Sequence, residues 1–202
     1  MNLHLEAVSS ALFDLLQRLM REDALVTFAL GGGTSLALRF GHRESVDLDL
    51  FTQAPFDSLR LADVLKQSHG MVESGTAENS VSGVIDGIKV DILAHRYPLV
   101  AEVVVVGEIR MLSLEDIAAM KLNAIANRGS KKDFWDYAKL LSRFSREEML
   151  GFYSEKYPRD SLWNVGKSLA YFHDAENQPD PRDLRGQSWA AVKKIIGDHN
   201  RL

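Results

Sequence analysis

The chain lacks cysteine entirely, and this absence removes several kinds of site. With no thiol among its 202 residues, it can form no disulfide scaffold, zinc ribbon, iron–sulfur cluster or thiol nucleophile. Any metal ion must therefore be held by oxygen or imidazole ligands. A reducing cytoplasm is the expected compartment.

Long hydrophobic runs are also missing. The apolar stretch 99–106 contains Glu102, whereas a bilayer crossing needs about 20 apolar residues. The first residues show no basic segment ahead of an apolar one, because Glu6 and Asp14 interrupt the apolar positions. We expect neither a membrane span nor a secretory signal.

The chain has only a small excess of negative charge. The chain has 24 basic and 28 acidic side chains, a net charge of −4, which argues against binding of polyanions over the whole surface. Residues 121–146 differ, because they hold seven basic and two acidic side chains. This segment predicts a local basic patch suited to a nucleotide or an RNA acceptor.

The first half of the chain has the pattern of a mixed sheet with flanking helices. Residues 46–51 alternate between apolar and polar, which predicts a half-buried strand. Asp86 and Gly87 predict a hairpin turn between two further strands. The predicted helices cover 3–20, 35–40 and 58–67, and the predicted strands cover 25–30, 46–51, 80–85, 88–93 and 103–106.

The second half has helical composition. Ser113 with Asp116 and Ser145 with Glu148 match the capping box that begins a helix. Further helices are predicted over 131–141, 162–172 and 188–196. The tryptophans fall at apolar helical positions typical of a core: Trp135, Trp163 and Trp189. The predicted fold class is α+β, with a sheet domain over residues 1–111 and a helical C-terminal domain over 112–202.

Three carboxylates on the predicted sheet carry the clearest chemical signal. Asp47 and Asp49 share one face of a strand, and Asp91 lies on a separate strand. Each alone is typical of the wet face of a sheet. Together they would concentrate negative charge unless cations neutralise it, and hard oxygen ligands favour Mg²⁺ or Mn²⁺. Two such ions are the usual arrangement for displacement at phosphorus.

A glycine turn supplies a complementary feature. Gly32, Gly33 and Thr34 follow a predicted strand and begin a helix. The unpaired amides and positive dipole end of a helix start bind phosphate oxygens, and glycine lets a phosphate approach closely. Thr34 could equally be a capping residue.

These motifs resemble the AbiEii/AbiGii toxin family, a branch of the DNA polymerase β-like nucleotidyltransferases. The resemblance is carried by LGGGTSLALRFGHRESVDLDLF at 30–51, KVDIL at 89–93 and KLNAIANRGSKKDFWD at 121–136. It reaches from about residue 25 to 141 and is looser over 162–196. It implies a polymerase-β-like nucleotidyltransferase sheet followed by a helical domain that closes a cleft.

The resemblance also implies roles for individual residues. Gly32, Gly33 and Thr34 would hold the triphosphate, while Asp47 and Asp49 would ligate the metal ions. Asp91 would complete the metal site and help to deprotonate the acceptor hydroxyl. Lys121 would neutralise phosphate charge in the transition state. The remaining residues expected to bind the nucleotide are Arg43, Arg128, Lys132, Asp133 and Asp136.

The sequence departs from the superfamily pattern at two positions. Thr34 replaces the usual serine and keeps its hydroxyl. Lys132 stands where the fourth motif often has arginine, and lysine lacks the planar fork that binds phosphate through two hydrogen bonds. Any planar contact made by that arginine in relatives is therefore in doubt here.

Structural alternatives remain for the basic and acidic residues of the later motifs. Arg43 and its neighbour His42 could form a solvated turn, and Lys121 could extend its ammonium group past an apolar helix face into water. Asp133 and Asp136 could pair locally with Lys132 or Lys139.

The function predicted from these patterns is Mg²⁺-dependent transfer of a nucleoside monophosphate from an NTP to a hydroxyl acceptor, with tRNA or another RNA as a plausible acceptor. The family resemblance implies a toxin with a cognate antitoxin, in bacterial toxin–antitoxin or phage-defence systems. A catalytically silent nucleotide-binding module is the alternative, and a two-metal nuclease or phosphatase is a third possibility.

Overall fold

The computed structural model describes residues 2–200, which pack as two compact units. The first unit comprises residues 2–40, 45–98 and 103–112, and the second comprises 41–44, 99–102 and 113–200. Two short segments from the first half of the chain therefore belong to the second, helical unit.

Within residues 2–200, seven strands form one mixed sheet in the first unit. The strands are β1 (Ala29–Leu30), β2 (Asp47–Thr52), β3 (Val72–Ala77), β4 (Ser80–Ile85), β5 (Ile88–Ala94), β6 (Val104–Val106) and β7 (Ile109–Met111). Their order in the sheet is β3-β4-β5-β2-β1-β7-β6. The pairs β2–β5 and β1–β7 are parallel, and the other neighbouring pairs are antiparallel.

Helices accompany the sheet and form most of the second unit. The first unit contains α1 (Ser10–Met20), α2 (Gly32–Phe40) and α3 (Ser58–His69). The second contains α4 (Leu114–Asn127), α5 (Lys131–Leu140), α6 (Arg146–Lys156), α7 (Leu162–Ser168), α8 (His173–Glu176) and α9 (Trp189–His199). The predicted α+β class is confirmed. Within residues 2–200 there is no helix with the length and apolar character needed to cross a bilayer.

Local sequence explains the elements that carry the site. Side chains on β2 alternate between half-buried and fully buried, because every second residue faces the core. Asp86 and Gly87 both have positive φ, as a tight hairpin between β4 and β5 requires. Ser145 and Glu148 form the predicted capping box at the start of α6.

Several boundaries differ from the sequence-based expectation. Ser9 caps α1, so the helix predicted over 3–20 begins at Ser10, after a separate 3₁₀ turn at Leu5–Ala7. The strand predicted over 25–30 is reduced to β1, because Leu25 belongs to a 3₁₀ turn and Val26 is exposed. The helix predicted over 162–172 ends at Ser168, and α8 begins separately at His173. Strand β7 was not predicted, because three residues are too few to show alternation.

Aromatic side chains pack into the core of the second unit. The rings of Trp135 and Trp189 stack with their centroids 6.0 Å apart, and Phe134 packs against Trp189. The expectation that Trp163 is also a core residue is wrong, since it is 70% exposed. Lys167 lies over the Trp163 ring instead, with Nζ 4.8 Å from the centroid.

Candidate active site

Three carboxylates from two parallel strands lie on one face of the sheet. Asp47 and Asp49 alternate along β2, and the register pairs Asp49 with Asp91 of β5. Directly paired residues of neighbouring strands point to the same face. We call these residues, Asp47, Asp49 and Asp91, the acid row. The structure therefore places the three acids that the sequence indicated on one face of the sheet.

Lys89 adds a cation to the same face. It lies two residues before Asp91, its Cα pairs with that of Asp47, and its Nζ donates a hydrogen bond to Asp91 Oδ2 at 2.6 Å. This hydrogen bond, together with the charges of all three acids, raises the pKa of Lys89. Burial raises the pKa of Asp91, but hydrogen bonds from Lys89 and Ser82 outweigh burial and hold it below its ordinary value.

The glycine turn lies against the acid row. The Gly31 amide donates a hydrogen bond to the Asp49 carbonyl at 2.9 Å. Gly32 has a φ of +61°, and a Cβ atom at this position would overlap the Asp49 carboxylate. Helix α2 therefore begins in direct contact with Asp49, with its first backbone N–H groups lacking intrahelical partners.

Thr34 ties the first turn of α2 to the start of β2. Its hydroxyl donates a hydrogen bond to the Asp47 carbonyl and lies 2.8 Å from the Ser45 hydroxyl. Thr34 is buried, so this hydroxyl holds the turn in place. Contact between this turn and a phosphate would come through the backbone amides.

The ligand atoms of the acid row are of the kind that a hard divalent cation prefers. Its donors are all carboxylate oxygens, and it already accepts the ammonium group of Lys89 as a stand-in cation. Because Gly32 has no Cβ, the Asp49 carboxylate lies directly against the start of α2. Across residues 2–200, no three acidic or histidine side chains converge tightly enough to form a ready-made metal site.

A second group of predicted residues meets inside the helical unit. Lys121 Nζ lies 2.9 Å from Asp133 Oδ1 and 2.6 Å from Asp136 Oδ2. Arg43 binds Asp136 through Nε at 2.7 Å and Nη2 at 2.8 Å, and Arg128 Nε donates to Asp133 Oδ2 at 2.8 Å. We call these residues, Arg43, Lys121, Arg128, Asp133 and Asp136, the buried ion network.

Burial and charge act in opposite directions on the acids of this network. Burial raises the pKa of Asp136, but the charges of Arg43 and Lys121 outweigh it and hold the pKa well below the usual range. Burial likewise raises the pKa of Asp133, but the charge of Lys121 and the hydrogen bonds from Arg128 and Ser130 outweigh burial and hold the pKa below its ordinary value. Both carboxylates are therefore ionised at neutral pH.

The structure shows how each remaining predicted residue is placed. The Lys121 ammonium is buried with its two aspartates and does not extend into water. Arg43 is also buried, which differs from a solvated turn. Lys132 is exposed. His42, which sequence reasoning left without a role, adds a contact of 2.8 Å from its Nε2 to Asp136 Oδ1.

Sequence reasoning missed Lys89 and Ser45. Lys89 could have been found, because its position two residues before Asp91 places both on one face of a strand. Nothing in the local sequence pattern marks Ser45 as a site residue. Its contact with Thr34 depends on the path of the chain between α2 and β2.

Comparison with known proteins gives a consistent relationship. The family described as Nucleotidyl transferase AbiEii toxin, Type IV TA system, matches residues 14–194. An uncharacterized protein of Aquifex aeolicus (strain VF5) is 36% identical over 166 residues, covering 75% of this chain and 76% of that protein.

Two solved structures resemble the chain over almost its whole length. MenT4, a nucleotidyltransferase toxin from Mycobacterium tuberculosis H37Rv, superposes with a TM-score of 0.59 at 18% identity, covering 95% of this chain and 84% of that chain. JHP933 from Helicobacter pylori gives a TM-score of 0.57 at 19% identity, covering 96% and 92%. The expected nucleotidyltransferase fold is confirmed.

Proposed function

The chain belongs to the AbiEii nucleotidyl transferase toxin family, and we propose that it transfers a nucleoside monophosphate from an NTP to a hydroxyl group of an RNA. The observation that carries this proposal is the contact between the acid row and the glycine turn. Helix α2 begins against Asp49, on the sheet face that also carries Asp47 and Asp91, and its first amides would bind phosphate there.

The proposed reaction is an in-line displacement at the α-phosphorus. The acceptor oxygen forms a bond to this phosphorus, and the bond from the phosphorus to the oxygen that bridges to the β-phosphate breaks. Pyrophosphate leaves with the bonding electron pair. We assign Asp91 to accept the proton of the acceptor hydroxyl.

The acid row would hold Mg²⁺ or Mn²⁺ through Asp47, Asp49 and Asp91. Bound cations of this kind neutralise the phosphoryl oxygens and polarise the attacking oxygen. The amides of Gly33 and Thr34 would bind the β- and γ-phosphates. The missing Cβ of Gly32 lets the Asp49 carboxylate lie against these amides.

The buried ion network would contribute positive charge to the reaction. Its three cations face two carboxylates, which leaves a formal excess of one positive charge. We assign Lys121 to neutralising charge in the transition state. Arg128, whose side chain is 59% exposed, and the exposed Lys132 are assigned to the triphosphate, and Arg43 to holding Asp136.

Family membership supports a toxin with an NTP substrate and an antitoxin partner. We propose RNA as the acceptor, and tRNA as the first RNA to test, because five basic side chains of residues 121–146 are exposed or partly exposed while both acidic ones are buried. Reaction with RNA would take place in the cytoplasm.

The test is incubation with each α-labelled NTP, Mg²⁺ and total bacterial RNA. We expect at least one NTP to label an RNA species, with pyrophosphate as the second product. Release of orthophosphate would instead indicate a phosphatase-type reaction. NTP binding without transfer would indicate a silent nucleotide-binding module. Either result would overturn the proposal.

A further inference from the structure

Three aromatic rings continue the face that carries the acid row. The rings of Phe51 and His95 lie edge to face with centroids 6.1 Å apart, and those of His95 and Tyr97 are 4.9 Å apart. Tyr97 is 44% exposed. We call Phe51, His95 and Tyr97 the aromatic cluster. None of the roles assigned above uses it.

The register of the sheet connects the aromatic cluster to the carboxylates. Phe51 follows Asp49 by two residues on β2 and therefore points to the same face. At about 3.3 Å per residue, its Cα lies about 7 Å beyond that of Asp49. His95 directly follows the end of β5, four residues after Asp91. The rings thus begin where the acid row ends.

Backbone hydrogen bonds hold the aromatic cluster in place. His95 N–H donates to the Thr52 carbonyl at 2.7 Å, which extends the β2–β5 pairing by one residue. Tyr97 N–H donates to the His95 carbonyl at 2.8 Å, and its own carbonyl accepts a hydrogen bond from Gln53 at 2.9 Å. A ring surface that is held before binding loses less entropy when a ligand stacks on it.

Glycine also permits the position of the Phe51 ring. A Cβ atom at Gly31 would come within 2.6 Å of the Phe51 ring carbons. Gly31 and Gly32 thus allow close approach by Phe51 and Asp49 respectively. The lack of side chains in this turn therefore makes room for both the aromatic cluster and the acid row.

The direction of the proposed reaction shows which substrate lies beside the rings. The turn runs from Gly31, which bonds to Asp49, to Thr34, which bonds to the Asp47 carbonyl. Pyrophosphate bound at this turn would leave toward the Asp47 end of β2. In-line displacement requires the acceptor to attack from the opposite end, and that is the end occupied by Phe51.

We propose that the aromatic cluster stacks the terminal nucleobase of a single-stranded RNA acceptor. This inference rests on the proposed function, because it uses the position of the leaving pyrophosphate. Stacking on Tyr97 and His95 would hold the acceptor hydroxyl in line without reading the base sequence. Arg96 lies between His95 and Tyr97 in the sequence and is exposed, and we assign it to a phosphate of the same strand.

The test uses a short single-stranded RNA that ends in 2-aminopurine, whose fluorescence falls when the base stacks. We expect quenching by the wild-type protein, and we expect Tyr97→Ala to weaken RNA binding by roughly 5- to 150-fold. Tyr97→Phe keeps the ring and should bind almost as tightly as the wild type. Tyr171→Ala is the matched control, because Tyr171 is an exposed tyrosine beside His173 in the other unit.

A second measurement separates the two nucleobases of the reaction. NTP affinity should stay within about twofold in Tyr97→Ala, since the stacking energy belongs to the acceptor. A loss of NTP affinity with unchanged RNA binding would overturn the inference, because the rings would then hold the NTP base. Unchanged binding of both, or equal losses in Tyr97→Ala and Tyr171→Ala, would also overturn it.

The binding readout does not require transfer, so the two proposals can fail separately. The protein could quench the 2-aminopurine fluorescence in a way that depends on Tyr97 and yet transfer no label. That result would overturn the proposed function, but the inference that the aromatic cluster stacks a nucleobase would stand. Transfer that Tyr97→Ala leaves unchanged, with unchanged RNA binding, would overturn only the stacking inference.

Discussion

Gly32 lies directly against the Asp49 carboxylate, with no room between them for a Cβ atom. This contact joins the proposed phosphate-binding turn to the proposed metal ligands. Two consequences follow for a side chain at this position. It would strain the backbone, because φ is +61°, and it would displace Asp49.

Gly32→Ala should abolish transfer, and Gly70 offers a matched control. Gly70 has a φ of +66° and open space where a Cβ would lie. Backbone strain should lower the free energy of unfolding by about 1 kcal/mol in both variants, and the overlap with Asp49 should add to this loss in Gly32→Ala. Only Gly32→Ala should stop label transfer to RNA. Equal transfer by the two variants would show that the contact with Asp49 is irrelevant to activity.

Removal of the Asp136 charge should strongly destabilise the protein. Asp136 accepts hydrogen bonds from Arg43 and pairs with Lys121, all three being buried. In Asp136→Asn these cations lose their partner, and we expect a loss of roughly 3 to 5 kcal/mol in the free energy of unfolding, measured in urea. Asp198→Asn removes the carboxylate of the exposed pair between Lys194 and Asp198 on α9 and should cost about 1 kcal/mol or less. Similar losses in both variants would contradict a structural role for the buried pairs.

We expect the ionisation of Asp116 to make the free energy of unfolding depend on pH. It is buried and accepts hydrogen bonds from Lys156 Nζ at 2.6 Å and from Ser113 at 2.6 Å. Burial raises the pKa of Asp116, but these hydrogen bonds and one from the Val100 amide hold it below its ordinary value. The carboxylate therefore stabilises the folded state above the unfolded pKa of about 3.9, and this contribution is lost as the pH falls through the folded pKa.

The measurement is the difference in unfolding free energy between the wild type and Asp116→Asn at several pH values. This difference should be full at pH 7 and should shrink below about pH 4. Asp14→Asn, which removes an exposed acid on α1, corrects for the general effect of losing one carboxylate. A difference that stays constant down to pH 3 would contradict the assignment of this stability to the ionised Asp116.

Lys89 should compete with metal ions for the acid row. Its ammonium group is bonded to Asp91 and interacts with the charges of Asp47 and Asp49. Lys89→Met removes this cation, so Mn²⁺ should bind more tightly, by about fivefold for a pair in partly exposed surroundings. Lys66→Met on α3 is the control and should leave Mn²⁺ affinity unchanged. Weaker Mn²⁺ binding by Lys89→Met would show that Lys89 supports the site.

The sheet and the acid row could be predicted because they depend on local patterns. Alternation places Asp47 and Asp49 on one face of β2, and Asp86 with Gly87 identifies the hairpin that leads to Asp91. Strand β1 was harder to predict, because two residues are too few to show the alternation of apolar and polar side chains that identifies a strand. The exposed Trp163 was misjudged because apolar spacing does not show whether a partner covers that side of a helix.

The buried ion network was predicted as a list of residues but not as a set of contacts. Arg43 and Asp136 are 93 positions apart in the chain, so no sequence period connects them. Residues 41–44, which include Arg43, belong to the helical unit, although the residues before and after them in the chain belong to the sheet unit. Long-range pairing of this kind depends on the tertiary fold, which residue spacing does not encode.

The most direct test of the central claim is label transfer by Asp49→Asn beside Asp14→Asn. Each variant replaces one carboxylate by an amide of the same shape. With α-labelled NTP, Mg²⁺ and total RNA, we expect Asp14→Asn to match the wild type and Asp49→Asn to label no RNA while keeping the wild-type free energy of unfolding or exceeding it. Undiminished transfer by a folded Asp49→Asn would contradict the assignment of catalysis to the acid row.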